Sequence, residues 1–411
     1  MIRPMLAKHG VGFFSYEKLD DEFVEGFRYE NIGRYHNYYA TAKRWEWPLD
    51  NRVTPGPLVI DGFSPNLNKT LHVGHLRNLA IANSLRLLYG YNAKFVSLLG
   101  ASQGVLQTAL NGLDYWKKFL NFDPILYYDV LMPTDVVSTR PPEESEIGFV
   151  WGQPLPQVWD GPNGPVIVIR ADGRPLYAYS ELVFAELFKP THYLTGAEQQ
   201  EHFKSLGFGD KHLPMGLVLG EDGYKLKSRD GTALPATEAI ERVIENLKET
   251  SEPEKVAWNI LAWNFLHISR RQDVKFEVEK WTQPEATGLY ITYTWARIQK
   301  ALEEPCGDRC FVCWDTHHNL ESLISSNGHQ IDVELLGFAS QVEFYVNESR
   351  IKFDPCPLAN FTEDLARRLG KAYHSEKIRD GRPEFKLALW YANCVLSECI
   401  MKLGMFLINS V

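Results

Sequence analysis

The sequence predicts an α/β protein in which a parallel sheet, wound on both faces by helices, is followed by an α-helical bundle. Three observations predict it. Short apolar runs with glycine ends alternate with helical patterns between about residues 57 and 250, the signature of buried parallel strands joined by helices. From about residue 251 such runs stop, and long segments with a 3.6-residue rhythm take over. The chain has 411 residues, 45% of them hydrophobic and 23% charged, enough apolar material for more than one core.

In chain order, residues 1–56 are aromatic and charged with a weak pattern, and EWPLDNRVTPGP closes them with turn residues. They read as an N-terminal extension or small cap. PLVIDGF is the first buried strand, LRNLAIANSLRLLYG a helix ended at Gly90, and AKFVSLLG the second strand. Residues 121–165 are rich in proline and polar residues and read as an insertion into the 57–250 domain. GPVIVIRADG, THYLTGAE and MGLVLGEDG add apolar runs, with helices expected over LYAYSELVFAELF and PATEAIERVIENLKE. Residues 251–411 supply the bundle, from VAWNILAWNFLHIS through TGLYITYTWARIQKAL, VELLGFASQVEFYV and LANFTEDLARRLGKAYH to EFKLALWYANCVLSECIMKLGMFLI.

Composition excludes some function classes. No run of 18 or more apolar residues appears, so no membrane-spanning helix is expected. The N-terminus lacks the charge and apolar pattern of a signal or transit peptide, and a cytoplasmic protein is expected. A net charge of −9 argues against bulk electrostatic binding of nucleic acid, though not against a local basic face. Six cysteines, all after residue 305, do not form a secreted disulfide framework. Cys394 and Cys399 read as buried free thiols in a helix. The segment CGDRCFVCWDTHH has two readings: Cys306, Cys310, Cys313 and His317 as zinc ligands, or a cysteine-rich loop.

The chemistry concentrates in two stretches. SPNLNKTLHVGHLRN follows the first strand and opens the first helix, so His72, Gly74 and His75 fall where open α/β sheets bind ligands. A helix N-terminus offers unpaired N–H groups and a positive dipole end to phosphate. Gly74 leaves room for a flat ring against the backbone, two histidines can donate to phosphate oxygens, and Lys69 adds a cation one turn upstream. The second stretch, GLVLGEDGYKLKSRDGTALP, is a glycine-bounded loop carrying Lys225, Lys227 and Arg229, able to close over a triphosphate and its leaving pyrophosphate.

Together these motifs resemble the signature pair of class I aminoacyl-tRNA synthetases: HVGH is similar to HIGH, and KLKSR to KMSKS. The neighbouring residues narrow the resemblance to the arginyl-tRNA synthetases. SPNLNKTLHVGHLRN, DGRPLYAYSELVFA, GAEQQEHF and TGLYITYTWARIQKAL are similar to that family's segments, in the family's order, from about residue 57 onward. The resemblance implies a Rossmann-type, doubly wound catalytic domain and an anticodon-binding-like bundle. It implies ATP with Mg2+, an amino acid and a tRNA as partners, the tRNA reached through the bundle, whose most basic stretch is Ala366–Arg382. It implies that His72 and His75 stabilise the α-phosphate and that Gly74 admits adenine. Lys69, Lys225, Lys227, Ser228 and Arg229 would serve the triphosphate, with Ser228 where the second lysine of KMSKS stands and Lys69 compensating. Ser64, Asn66, Tyr177 and Gln199 match the family's amino-acid pocket.

The departures cluster where the family reads arginine. Ser97 stands in place of the substrate-binding asparagine, and Ala101 and Ser102 in place of an Asp-Trp pair. Asn92 replaces a glutamate that helps hold the guanidinium, and Glu181 replaces an aspartate, reaching one methylene further. A buried guanidinium wants planar carboxylate partners, so these swaps favour a changed substrate. Three readings follow. One is an arginyl-tRNA synthetase-like paralogue that adenylates arginine or a related carboxylate in a specialised pathway. A second is a compact arginine–tRNA ligase. A third is a non-catalytic RNA-binding or regulatory relative, against which the joint presence of His72, His75, Lys69, Lys225 and Lys227 argues.

Overall fold

The computed structural model describes residues 2–7, 10–15, 18, 27–40, 57–63, 70–90, 93–99, 119, 125–128, 136–143, 145, 154–224, 234–247, 250–283, 286–302, 330–375, 378 and 382–408. By contact the chain divides into two compact units: residues 1–54, 242–267 and 278–411 form one, and residues 55–241 with 268–277 form the other. The N-terminal stretch and the bundle thus belong to one unit, a grouping that chain order alone does not suggest.

In the first unit, β1 (Ile2–Ala7), β2 (Gly10–Ser15), β3 (Phe27–Ile32) and β4 (Tyr35–Ala40) build an antiparallel sheet of order β1-β2-β4-β3. This is regular structure where the sequence shows only a weak pattern.

The second unit carries a five-stranded sheet, all parallel, of order β11-β10-β5-β6-β7. Its strands are β5 (Leu58–Asp61), β6 (Ala93–Leu99), β7 (Ile125–Tyr128), β10 (His192–Gly196) and β11 (His212–Met215). The expected strands β5, β6 and β10 are present. Two members of the sheet differ from the sequence expectation: β7 lies inside the expected insertion, and β11, HLPM, lacks the longer apolar run of the expected strands. Two apolar runs read as sheet strands pair elsewhere. β9 (Gly164–Ile169) forms an antiparallel hairpin with β8 (Gln157–Gly161), and β12 (Val218–Leu219) pairs with β13 (Val274–Lys275). An apolar run reports burial, not which neighbour accepts its hydrogen bonds.

Helices cover both faces of the sheet. On one, α1 (Val73–Tyr89) approaches so closely that a Cβ on Gly62 would strike Ala82, and Phe95 flanks that contact. On the other, Phe184 of α2 (Tyr177–Phe188) packs on Val96 and Leu98, with Val59 and Phe188 beside them. Helix α3 (Gln200–Ser205) precedes β11, and α4 (Ala236–Glu245) ends the run. Gly90 closes α1 with φ of 63°, a left-handed turn that glycine makes without strain. Because β6 and β7 extend from one side of β5 while β10 and β11 lie on the other, the strand order reverses at β5. In such sheets the crevice beyond the strand ends at this reversal is the ligand site.

The bundle of the first unit comprises α5 (Pro253–Leu266), α6 (Val278–Trp281), α7 (Thr287–Leu302), α8 (Gln330–Ala339), α9 (Val342–Lys352), α10 (Cys356–Ser375) and α11 (Pro383–Lys402). The run VELLGFASQVEFYV, read as one helical pattern, is broken between α8 and α9 at Ser340 and Gln341. Gly288 lets α7 approach the backbone of α5, and Gly370 leaves space for the Tyr290 hydroxyl. Asn259 clamps the segment after α11, donating to Phe406 O (2.8 Å) and accepting from Phe406 N–H (2.7 Å). Cys399 is buried as expected, whereas Cys394 and Cys356 are partly buried. Among the described residues no helix is long and apolar enough to cross a membrane.

Candidate active site

The site is built on the start of α1. His72 is the helix N-cap, in extended conformation, and its Nδ1 accepts from Gly74 N–H (3.2 Å). His75 reciprocates: its Nδ1 accepts from His72 N–H (3.1 Å). The two histidines therefore perform the task of a capping box, usually done by Ser/Thr and Glu. With each Nδ1 accepting, the neutral rings carry their protons on Nε2, which leaves two N–H donors on rings whose centroids lie 4.0 Å apart. Loss of water around the His75 imidazole, then the neighbouring His72, pushes its pKa down to about 3, so it is neutral across the physiological range. Gly74 has a purpose the motif alone does not reveal. A Cβ there would come within 3.0 Å of His72 Cε1 and 3.1 Å of Nδ1, so glycine makes room for the histidine itself.

A second segment is stitched to this one. Val73 N–H donates to Leu234 O (3.0 Å), Ala236 N–H donates to Leu71 O (2.9 Å), and His72 bridges to Pro235. The foot of the basic loop thus lies beside His72, although loop and motif are far apart in sequence. Arg77, one turn into α1 and fully buried, ties down the other side. Its guanidinium donates to the carbonyls of Gly216 (3.0 Å), Leu217 (3.2 Å), Ser269 (3.3 Å) and Gln272 (2.7 Å). The strand leading to the loop is thereby fastened to the helix that bears the histidines. Sequence reasoning gave Arg77 no role; the signal was a cation in the first turns of a largely apolar helix.

The acid end of the site lies on the α2 face of the sheet. Glu181 is fully buried, and neither carboxyl oxygen has a hydrogen bond of ordinary geometry. Burial first, then the charge of Asp61, raises its pKa to about 8, against a smaller opposing pull from the Tyr177 hydroxyl. Asp61, at the end of β5, is 1% exposed and stands in register with Tyr193 of β10. Tyr193 is fully buried, its hydroxyl unpartnered, and burial with the charges of Glu181 and Asp61 drives its pKa strongly upward. Sequence reasoning missed Asp61 and Tyr193. The signal for Asp61 was an acid ending an apolar strand next to a glycine.

Of the other expected pocket residues, Tyr177 opens α2, one turn before Glu181, and its ring lies on His202 of α3 (5.6 Å). Gln199 is the N-cap residue of α3. Tyr177, Glu181 and Gln199 are thus gathered around α2 and α3. Ser97 is buried on the opposite, α1 face, since it alternates with Val96 and Leu98 and shares a face with Phe95. Ser64, Asn66, Lys69, Asn92, Lys225, Lys227, Ser228 and Arg229 lie outside the described residues, as do Ala101 and Ser102. The zinc candidates Cys306, Cys310, Cys313 and His317 do so too. Among the described residues no group of three or more His, Cys, Asp or Glu is placed to hold a metal ion. In the basic stretch of the bundle, Arg367 pairs with Glu363 (2.7 Å) and Arg368 lies over Phe338 (4.2 Å), so both cations already have partners within the protein.

No protein-family model matches the chain. It is 28% identical over 277 residues to arginine–tRNA ligase 1 of Bacillus thuringiensis, an alignment covering 58% of this chain and 46% of that one. The chain thus spans about half the length of that relative. With arginine–tRNA ligase 1 of Bacillus cereus the match is 27% and covers 94% of this chain and 88% of the relative. In three dimensions it resembles Thermus thermophilus arginyl-tRNA synthetase with a TM-score of 0.64 at 14% identity, over 95% of this chain and 89% of that one.

Proposed function

We propose that this chain, arginyl-tRNA synthetase-like in sequence and fold, activates arginine or a related carboxylate with ATP and passes the acyl group to an acceptor. One observation carries the reading: the backbone pairing of Leu71–Val73 with Leu234–Ala236 brings the foot of a basic loop to a two-histidine helix start. Two sequence-distant motifs would otherwise have no reason to meet.

The reaction is a displacement. A carboxylate oxygen of the amino acid attacks the α-phosphorus of ATP, the P–O bond to the β-phosphate breaks, and pyrophosphate leaves with the electron pair. An acceptor hydroxyl or amine then attacks the acyl carbon and releases AMP. His72 and His75 serve as neutral donors through Nε2–H to charge developing on the α-phosphate, beside the positive end of α1. Lys69, Lys225, Lys227 and Arg229 hold the triphosphate tail. Magnesium accompanying ATP would supply charge neutralisation on the triphosphate. Tyr177, Glu181 and Gln199 receive the amino acid, together with Ser64 and Asn66. The acceptor is the 3′ end of a tRNA that the bundle would help to hold, or a small amine. A second reading, a compact arginine–tRNA ligase, is favoured by the buried carboxylate that Glu181 keeps at the pocket.

Pyrophosphate–ATP exchange with arginine and a panel of amino acids, each with and without tRNA, tests both. Exchange that needs arginine and tRNA together supports the second reading. Exchange without tRNA, or with another acid, supports the first. No exchange under any condition removes adenylation.

A further inference from the structure

A cavity of about 480 Å³ opens beside the later turns of α2. That volume lies within the range of about 300–1,000 Å³ typical of small-molecule pockets. Its lining on α2 begins after Glu181, at Leu182, and runs to Lys189 just past the helix end. None of His72, His75, Tyr177, Glu181 or Gln199 belongs to it. The adenylation reading therefore leaves this cavity without a use.

The lining has a definite chemistry. Three aromatic residues supply it: Trp159 of β8, Tyr193 of β10, and Phe208 in the turn before β11. The Tyr193 and Phe208 rings stack, with centroids 5.3 Å apart and planes 14° from parallel. Lys211 Nζ lies over the Phe208 ring, 5.8 Å from its centroid, and Lys189 stands exposed at the rim. Neither lysine forms an ion pair among the described residues. Against these two lysines the lining sets one acid, Glu186, so it is net positive in a chain whose net charge is −9. At the other extreme stands Tyr193, fully buried, its hydroxyl without a hydrogen bond and under the charges of Glu181 and Asp61. Those acids repel an anion from that end and direct it to the lysines.

Lys189 is also a costly choice for its position. It closes α2 in the left-handed region, with φ of 48° and ψ of 55°. Glycine makes that turn without strain, whereas a side chain resists it. The lysine gives up that ease and carries a cation to the rim of the cavity.

We propose that this cavity is a binding site, separate from the adenylation site, for a small flat aromatic molecule bearing an acidic group. The ring lies against Trp159 and Phe208, and the anion meets Lys189 and Lys211. A purely apolar ligand would leave both cations without a role, and a cationic ligand would be repelled by them. An aromatic carboxylate and a nucleoside monophosphate share the required chemistry.

Fluorine NMR titration of the full chain tests this with two anionic probes, 5-fluoroindole-2-carboxylate and 5-fluorouridine 5′-monophosphate. Neutral 5-fluoroindole and non-aromatic trifluoroacetate are the controls. The expected result is saturable binding of at least one anionic probe, on the order of tenfold tighter than either control. The tighter of the two tells whether the site takes an aromatic acid or a nucleotide. Lys189→Gly should weaken binding on the order of tenfold while the thermal midpoint stays or rises, because glycine suits the left-handed helix end. Lys211→Met keeps an apolar stem against Phe208 and should weaken binding to a similar degree. ATP with arginine should leave the probe in place. No saturable binding, 5-fluoroindole bound as tightly as the anions, affinity unmoved by both substitutions, or displacement of the probe by ATP would overturn the proposal. The probes need neither ATP nor tRNA to bind. A chain that holds them without exchanging pyrophosphate would keep this site and lose adenylation, and exchange by a chain that holds no probe would do the reverse.

Discussion

The two ends of the site are built on opposite principles. At the start of α1 the framework is tied down: His72 accepts from Gly74 N–H, His75 from His72 N–H, Arg77 donates to four carbonyls, and the strand leading to the basic loop is fastened before any ligand arrives. Below α2 the reverse holds: neither oxygen of the buried Glu181 has a hydrogen bond of ordinary geometry, and the buried Tyr193 hydroxyl has none. A phosphate end that is organised in advance loses little on binding and suits a group whose charge grows in the transition state. An acid end left open stores an electrostatic demand that only one class of side chain relieves. On the proposed reading the first end serves rate and the second selection.

That contrast can be broken, most severely at Arg77. Arg77→Ala should cost about 3–5 kcal/mol of stability, read as a lowered urea midpoint, because four carbonyls and a buried cavity are left behind. His75→Ala should leave the fold intact and slow pyrophosphate exchange on the order of a hundredfold. Exchange should show no titration near pH 6.5 from this residue, since its pKa lies at about 3. Gly74→Ala should cost roughly tenfold, through the His72 ring it displaces.

The smallest effect separates the ends by sign. The folded pKa of Glu181 is raised above its unfolded value. Its stabilising contribution is therefore complete below about pH 4.5 and is lost as pH rises through about 8. Glu181→Gln should raise the thermal midpoint at pH 8.5 and lose that advantage by pH 5. A midpoint lowered equally at both pH values would mean that Glu181 is an ordinary satisfied polar group.

Much of this arrangement was legible in the sequence, and the reasons for the rest are physical. HVGH announces a helix start after a strand because capping and phosphate binding depend on local backbone geometry. Helices α1, α2, α4, α7 and α10 follow from periodicity. Which strands share a sheet is not a local property: MGLVLG pairs with residues 274–275 and GPVIVI with its own hairpin, while the less apolar HLPM reaches the sheet edge. Likewise the opposed acids Asp61 and Glu181 come from a strand and a helix 120 residues apart in number, and only the doubly wound topology sets one above the other. The regular sheet of residues 2–40 was hidden by its weak alternation.

The most direct single measurement is binding of a non-hydrolysable aminoacyl-adenylate analogue, arginyl-sulfamoyl-adenosine, which spans both ends at once. Its dissociation constant would be compared for the wild-type chain, His75→Ala and Glu181→Gln. Saturable binding weakened by each substitution separately is the expected result, since the analogue meets a different end in each case. Binding indifferent to both, or none by the wild-type chain, would contradict the assignment of these two ends to one adenylate site.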